Sequence, residues 1–506
     1  MSGTYKTTLK FGFIFFYSII ICICGWSQPG SQKPINIIFI LADDHRYDAM
    51  GFMNKVKGLQ TPGMDRMATE GTHLQNAFVS TALCSPSRAS ILTGQYAHTH
   101  TVVDNDAPLP ANLIFFPQYL KENGYQTAFF GKWHMGNTDD KPKPGFDHWV
   151  SFEGQGVYHN PTFNINGQRI KQPEGSYTTD LLTAQSLEWL NNRDKKKPFF
   201  VYLSHKGVHA EFQPAKRHAG KYLSMQVVSP PSMYVTATDS SKTYGIVTPP
   251  ETNVNSLDIP KWVREQRYSW HGVDYMYHGS IRFDQFYRNY FETLQAVDES
   301  IEQVLNWLVK QGLDHNTMVV YMGDNGFSFG EHGLIDKRHA YEESMRVPLL
   351  CWAPGLVKSG SKIPQAVMNV DIAPTFLEVA GINKPPNMQG VSFAGLLQGK
   401  NISWRDKVFY EYYWEAAFPQ TPTIFAIRAE RYKYIYNHGV WDINELYDLQ
   451  NDPYEMNNLI RDTSLRRQGL ALKKELFQWL QQTKGLQIPL KKPIDSRGDN
   501  LYRNTY

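Results

Sequence analysis

The sequence predicts an α/β fold: a large mixed, mostly parallel sheet sandwiched by helices, followed by a smaller C-terminal antiparallel sheet with a helix. Three observations carry that prediction. Short apolar runs alternate with amphipathic stretches through most of the chain, the pattern of helices laid on the faces of a sheet. Four of those runs end in polar, ligand-capable residues, as strands do where an open α/β sheet gathers its site. From about Asn401 the character shifts to aromatic strand-like runs and one closing amphipathic stretch.

The elements follow in chain order. Lys6 and Lys10, the apolar run FGFIFFYSIIICIC and the small residues Gly25 and Ser27 have the layout of a cleaved secretory signal, residues 1–27, so a periplasmic or secreted protein is expected. That run is short for a bilayer span and no other stretch approaches about 18 apolar residues, so no membrane span is expected once the signal is removed. Isoleucine precedes both Cys22 and Cys24, where a lipid-anchor site would carry small residues. Residues 28–400 are assigned to the main α/β domain and 401–506 to a C-terminal subdomain.

Within the main domain, INIIFIL (35–41) reads as a buried strand that runs into Asp43 and Asp44. YQTAFF (125–130) runs into GKWHMG, PFFVYLSHK (198–206) carries His205 near its end, and TMVVYM (317–322) runs into GDNG. Phe286, Tyr290, Leu294, Val297, Ile301, Val304 and Leu308 recur at helical spacing and stop at Gly312, which predicts a long helix over 283–312. Residues 222–280 are rich in Pro, Ser, Thr, Tyr and Trp with weak periodicity, as in an insertion that walls a cleft. VFYEYYW, IFAIRAERYKYIY and ALKKELFQWLQQ supply the strands and helix of the C-terminal part.

Composition excludes little but excludes it firmly. With 506 residues, 42% of them hydrophobic, the chain can bury a sizeable core. Its 51 Lys and Arg against 48 Asp and Glu leave a charge of +3, and no like-charge run of the nucleic-acid-binding kind stands out. Of four cysteines, two lie in the leader; Cys84 and Cys351 could form one disulfide. Cys351, in VPLLCWAP, reads more simply as a buried apolar strand residue. Cys84 sits in the polar run CSPSR, where an ordinary thiol at a helix start would have a depressed pKa.

Asp43, Asp44, Asp324 and Asn325 supply three carboxylates and an amide at two strand ends, a hard oxygen set suited to Ca²⁺ or Mg²⁺ rather than zinc. Either pair alone is an ordinary turn or cap sequence. Cys84-Ser85-Pro86-Ser87-Arg88 with Leu92-Thr93-Gly94 resembles the signature of type I sulfatases of the alkaline phosphatase superfamily. The resemblance extends in order through NIIFILADD, GKWHMG, GDNGFSFGEHGLIDKR, YEESMRVPLL and ELYDLQNDPYEMNNL, and is strongest to bacterial polysaccharide sulfatases.

What the resemblance implies is specific. Cys84 is the residue that such enzymes oxidise to formylglycine, which requires a formylglycine-generating or anaerobic sulfatase-maturating enzyme as partner. The aldehyde hydrate offers one hydroxyl to attack sulfur and another to eliminate sulfate. Asp43, Asp44, Asp324 and Asn325, with the oxygen of residue 84, match the ligands of one divalent cation, and several carboxylates lean to calcium. Arg88 matches the arginine that supports the formylglycine, Lys132 and His134 the residues that hold sulfate and hydrate, His205 the acid for the leaving oxygen, and Lys337 a lysine that binds sulfate and shares that task.

Hydrolysis of a sulfated glycan follows, with ulvan, carrageenan, fucoidan and glycosaminoglycans all open as substrates and an exo-acting pocket preferred. A phosphate or phosphonate monoester hydrolase of the same superfamily and a non-catalytic glycan-binding relative are the alternatives. His98, His100, His209, His271, Asp274, His278, Arg338 and His339 read equally as sugar contacts or as rim and packing residues.

Overall fold

β1 (Asn36–Ala42), NIIFILA, is buried at every position. Ile37, Phe39 and Leu41 join one apolar cluster and Ile38, Ile40 and Ala42 another, on opposite faces, as the two-residue period of a strand requires. A strand covered on both faces has no solvent side, which is why its sequence is an uninterrupted apolar run. The computed structural model describes residues 1–4, 35–234, 258–275 and 281–489.

β1 lies in an eleven-stranded sheet with β2 (Thr72–Phe78), β3 (Gln126–Lys132), β4 (His148–Phe152), β5 (Thr162–Ile165), β6 (Gln168–Lys171), β7 (Phe199–Ser204), β8 (Thr317–Gly323), β9 (Arg346–Val347), β10 (Leu349–Trp352) and β11 (Ser361–Met368). The order is β11-β2-β10-β8-β1-β7-β3-β4-β5-β6, with β9 beside β2. The four strands singled out in the sequence, β8, β1, β7 and β3, are consecutive neighbours, and every pairing among them is parallel. Ala42 stands beside Gly323, Leu41 beside Ser204 and Gly131 beside Ser204, so all four carboxyl ends open on one edge. Antiparallel pairs occur on the flanks, where β10 joins β8 to β2 and where β5 joins β4 to β6.

The long helix is Phe283–Gln311, closed by Gly312 in the left-handed conformation at φ 64°. Its Tyr290 hydroxyl accepts from the Arg46 amide at 2.9 Å and donates to the Asp44 carbonyl at 3.0 Å, so it fixes the loop that leaves β1.

The C-terminal part is an antiparallel meander of β12 (Lys407–Tyr412), β13 (Thr423–Ala429), β14 (Tyr432–His438) and β15 (Glu445–Asp448), backed by the helix Arg466–Thr483. Val408, Tyr410, Ile424 and Leu476 share the apolar cluster of Ile37 and Phe376, and the described residues beyond Pro34 form one compact unit. Residue 400 therefore marks a change of architecture inside a common core. Cys84 and Cys351 are both free and buried, Cys351 on β10. From residue 5 the leader lies outside the described residues, as do residues 235–257 and 276–280 of the 222–280 stretch; its described parts include the helix Lys261–Gln266. No described helix is long and apolar enough to cross a membrane.

Candidate active site

The helix Cys84–Thr93 begins with CSPSR yet is buried at every residue. Each polar side chain of its first turn is answered by a strand end. The Ser85 hydroxyl donates to the His134 carbonyl beyond β3, and the Ser87 hydroxyl to the Asp324 carbonyl beyond β8. Arg88 donates from Nε to Asp324 Oδ2 at 3.0 Å, with Nη2 at ion-pair distance, 2.8 Å, from the same oxygen, and from Nη1 to the Lys132 carbonyl at 2.6 Å and Ser204 Oγ at 2.7 Å. One guanidinium thus ties β3, β7 and β8 to the helix. Pro86 is tolerated in the first turn because its missing N–H would have no helical partner there.

Residue 84 stands at the centre of what these contacts assemble. Its Sγ donates to Asp43 Oδ1 at 3.4 Å and accepts from Lys337 Nζ at 3.1 Å. Burial and the Asp43 carboxylate push the thiol up to about 12, so an unmodified Cys84 is a protonated thiol and a poor nucleophile. This is the reverse of the depressed pKa expected of an ordinary helix-start cysteine.

Ligand atoms of Asp43, Asp44 and Asp324 lie within 4.8 Å of one another, all in buried residues. Three cations balance them: Lys132 Nζ pairs with Asp43, Lys337 Nζ with Asp44, and Arg88 with Asp324. Against the upward push of burial, Lys132, with Arg88, holds Asp43 well below the usual carboxylate range. Burial raises Asp44 against the pull of Lys337, and burial with the adjoining Asp43 pushes Asp324 up to about 7. Asn325 donates its amide to Asp44 Oδ1 at 2.7 Å, while its buried Oδ1 has no partner among the described residues. Three crowded carboxylates and an orphaned amide oxygen fit a hard divalent cation.

The structure does not bring His205 to this cluster. Its backbone continues the sheet, donating to the Leu41 carbonyl at 2.8 Å, and its ring Nε2 meets Ser300 Oγ of the long helix at 3.0 Å. Burial lowers its pKa to about 3. The loop that follows binds both backbone groups of Asp43, through the Gly207 carbonyl at 2.9 Å and the Val208 amide at 2.7 Å. That clasp carries His209 over the carboxylates: ligand atoms of Asp43, Cys84 and His209 lie within 4.8 Å of one another, and His209 Nε2 is 3.9 Å from Asp44 Oδ2.

The family model described as "Sulfatase" matches residues 35–382, and that described as "N-sulphoglucosamine sulphohydrolase, C-terminal" matches residues 330–482. The chain belongs to the sulfatase family. It is a sulfuric ester hydrolase acting on sulfate esters of glycans. This sulfatase is 34% identical to an N-acetylglucosamine-6-O-sulfatase of Bacteroides thetaiotaomicron, over 92% of its own chain and 89% of that protein. It is 28% identical to an ulvan-active sulfatase of Formosa agariphila, over 86% of its own chain and 78% of that one. A solved structure of a protein in complex with its substrate, D-glucosamine-2-N,6-O-disulfate, superimposes with a TM-score of 0.77 at 33% identity, covering 90% of the sulfatase and 99% of that chain.

In the sulfatase Lys132, His134 and Lys337 lie around the cluster. Lys132 Nζ also donates to Gln155 Oε1, and His134, in the left-handed conformation at φ 53°, keeps its Nδ1 without a partner among the described residues. Burial and then Lys132 hold the His134 ring well below its ordinary pKa, hence neutral. Gln155, Lys206 and Tyr158 were not singled out by sequence. Lys206 Nζ sits 4.7 Å over the Tyr158 ring, lowered to about 8 by burial and the nearby Lys132, and the Tyr158 hydroxyl donates to the His209 carbonyl.

Most of the remaining candidates are structural. His98, on the short helix Ala97–His100, pairs with Glu411 Oε2 of β12 at 2.8 Å and packs on Trp479 of the C-terminal helix. His100 Nε2 meets Ser90 Oγ at 3.0 Å. Asp274 pairs with Arg267, and His339 meets Ser328 Oγ. His271 and Arg338 both approach Asp336, and Arg338 also pairs with Glu415. His278 lies outside the described residues.

Proposed function

We propose that the sulfatase removes the 6-O-sulfate from N-acetylglucosamine or glucosamine units of a sulfated glycan, using residue 84 as formylglycine. The observation that carries the sugar assignment is the 34% identity, across nearly the whole length of both chains, to an N-acetylglucosamine-6-O-sulfatase. The leader indicates that the mature enzyme is exported to the periplasm or medium, where a maturating enzyme must have acted on Cys84 beforehand.

Asp43, Asp44, Asp324 and Asn325 would hold the cation, Ca²⁺ in preference to Mg²⁺ because the set is oxygen-only and carboxylate-rich. Together the cation and formylglycine supply a Lewis acid and an aldehyde-hydrate oxygen as nucleophile. Lys337 supports position 84 directly and Arg88 through Asp324, with Cys84 Sγ marking the place of the formylglycine oxygen. Lys132, Lys337 and His134 bind the sulfate oxygens, and their burial makes each charge-assisted contact stronger than it would be in water. A 6-O-sulfate leaves behind a primary alkoxide, a poor leaving group that needs a proton. We assign His209 Nε2, not His205, as the group that delivers it.

Sulfate release tests the reading, with residue 84 first identified by peptide mass and Cys84→Ala as blank. The panel is N-acetylglucosamine 6-sulfate, glucosamine 2-N,6-O-disulfate, N-acetylgalactosamine 4-sulfate, ulvan oligosaccharides and a phosphonate monoester. Release from the 6-sulfates alone is expected. Release only from ulvan overturns the sugar, turnover only of the phosphonate moves the protein to that hydrolase class, and an unmodified, silent Cys84 favours a binding relative.

A further inference from the structure

Away from the catalytic cluster, the turn after β14 leaves Trp441 fully exposed, with the half-buried Val440 beside it. They form one wall of an open cleft of about 600 Å³ whose other lining residues include Lys261, Arg264, Asp442 and Arg461. Three cations therefore face one carboxylate, and that carboxylate is already committed. Asp442 accepts from the amides of Trp262 and Ile443, both at 2.8 Å, and so holds the start of the helix Lys261–Gln266.

The cations have only loose partners. Lys261 pairs with Glu265 at 3.4 Å and Arg461 with Asp258 at 3.6 Å, all but Asp258 more than half exposed, and such surface pairs hold weakly. Arg264 lines the cleft with its buried Nε unpartnered among the described residues. An exposed indole offers a flat apolar face to the C–H face of a pyranose, and the surrounding guanidinium and ammonium groups suit a planar or tetrahedral oxyanion. Apolar face and cation cluster in one cleft match a sulfated sugar better than either a neutral sugar or a free anion.

The cleft is tied to the active site by the helix at its side. Lys261 and Arg264 line the cleft, while Gln266 at the other end donates to Asp336 Oδ2 at 3.1 Å, and Asp336 Oδ1 accepts the Lys337 amide. Six residues of helix span about 9 Å, so the cleft lies within a few sugar units of the sulfate-binding lysine. We infer that this cleft binds a sulfated sugar of the substrate chain remote from the ester being hydrolysed, an inference that rests on the glycan reading above.

Equilibrium binding of a heparin octasaccharide and of glucosamine 6-sulfate to the full-length Cys84→Ala protein at about 0.15 M salt tests it, alone and with Trp441→Ala or Trp441→Ala/Arg461→Ala added. Both added sites are exposed, so the fold is kept. The expected result is an octasaccharide Kd weakened several-fold by Trp441→Ala and at least about tenfold by the pair, with monosaccharide binding unchanged. No octasaccharide binding before these changes, an unchanged octasaccharide Kd after them, or equal weakening of both ligands overturns the inference. Sulfate release by the mature enzyme from the monosaccharide is scored separately: its absence, with cleft-dependent octasaccharide binding intact, defeats the proposed function and leaves the cleft standing.

Discussion

His209 Nε2 lies 3.9 Å from Asp44 Oδ2, and its Nδ1 donates to the Ala210 carbonyl. With Nδ1 committed to the backbone, the nitrogen turned toward the carboxylates is the one that can take up and hand over a proton. Burial, Lys337 and Lys132 hold the free ring neutral, and a sulfate ester bound among those lysines offsets their charge and favours the imidazolium.

His209→Ala is therefore expected to lower kcat on an alkyl sulfate such as N-acetylglucosamine 6-sulfate by about two to four orders of magnitude. On an aryl sulfate, whose phenoxide leaves unaided, the loss should be far smaller. Equal losses on both substrates would remove the acid role. His205→Ala, which empties a buried space against Ser300, should lower the melting temperature and leave the alkyl-to-aryl ratio of kcat unchanged.

The pair of histidines also shows where the sequence stops being legible. Strand ends are readable because β1, β3, β7 and β8 each carry an apolar run that turns abruptly polar, so Asp43, Lys132 and Asp324 fall on one edge by pattern alone. Choosing between His205 and His209 required the clasp of Gly207 and Val208 on Asp43, a backbone contact between distant segments that no local pattern encodes. Gln155 and Lys206 were hidden for the same reason, since a glutamine after β4 and a lysine after β7 look like solvated loop residues until the sheet order brings them together. Ser85 and Ser87 could be quoted as motif letters, but their work as clasps on the ends of β3 and β8 is visible only in three dimensions.

Arg88 makes four hydrogen bonds or ion-pair contacts inside 3.0 Å and is fully buried. Arg88→Met leaves Asp324 buried without its partner, for which a loss of about 3–5 kcal/mol in stability is expected. Arg88→Lys restores the charge but not the fork, and should fall between the two in denaturant midpoint while still losing most activity. A methionine variant as stable as the parent would mean that the Arg88–Asp324 pair does not hold the strand ends together.

Chelation should inactivate the enzyme and lower its melting temperature, because three crowded carboxylates lose their common partner, and Ca²⁺ should restore both better than Mg²⁺. Binding must displace any proton on the ligands, and Asp324 sits near 7 with Asp44 also raised. The calcium Kd measured by calorimetry should accordingly weaken as pH falls from 8 to 6, approaching about tenfold per unit for one released proton. A pH-independent Kd would show that the carboxylates are already fully ionised before the metal arrives.

Acid should unfold the protein through its buried imidazoles. Burial lowers His45 and His339 to about 4 and His100 and His205 to about 3, against 6.5 for an exposed histidine. A folded-state pKa below the unfolded one means that the unfolded chain binds more protons between those two values. The stability these rings contribute is thus complete above about pH 6.5 and lost as pH falls toward 4, at up to about 1.4 kcal/mol per pH unit for each ring. His100 isolates one share, since its Nδ1 accepts the Val102 amide at 3.1 Å and its Nε2 donates to Ser90 Oγ, an arrangement open only to the neutral ring. His100→Gln should be less stable than the parent at pH 7.5, but its denaturation free energy should fall less steeply between pH 6.5 and 5, so the two curves converge. Parallel curves would mean that His100 titrates alike in the folded and unfolded chain, which its burial against Ser90 forbids.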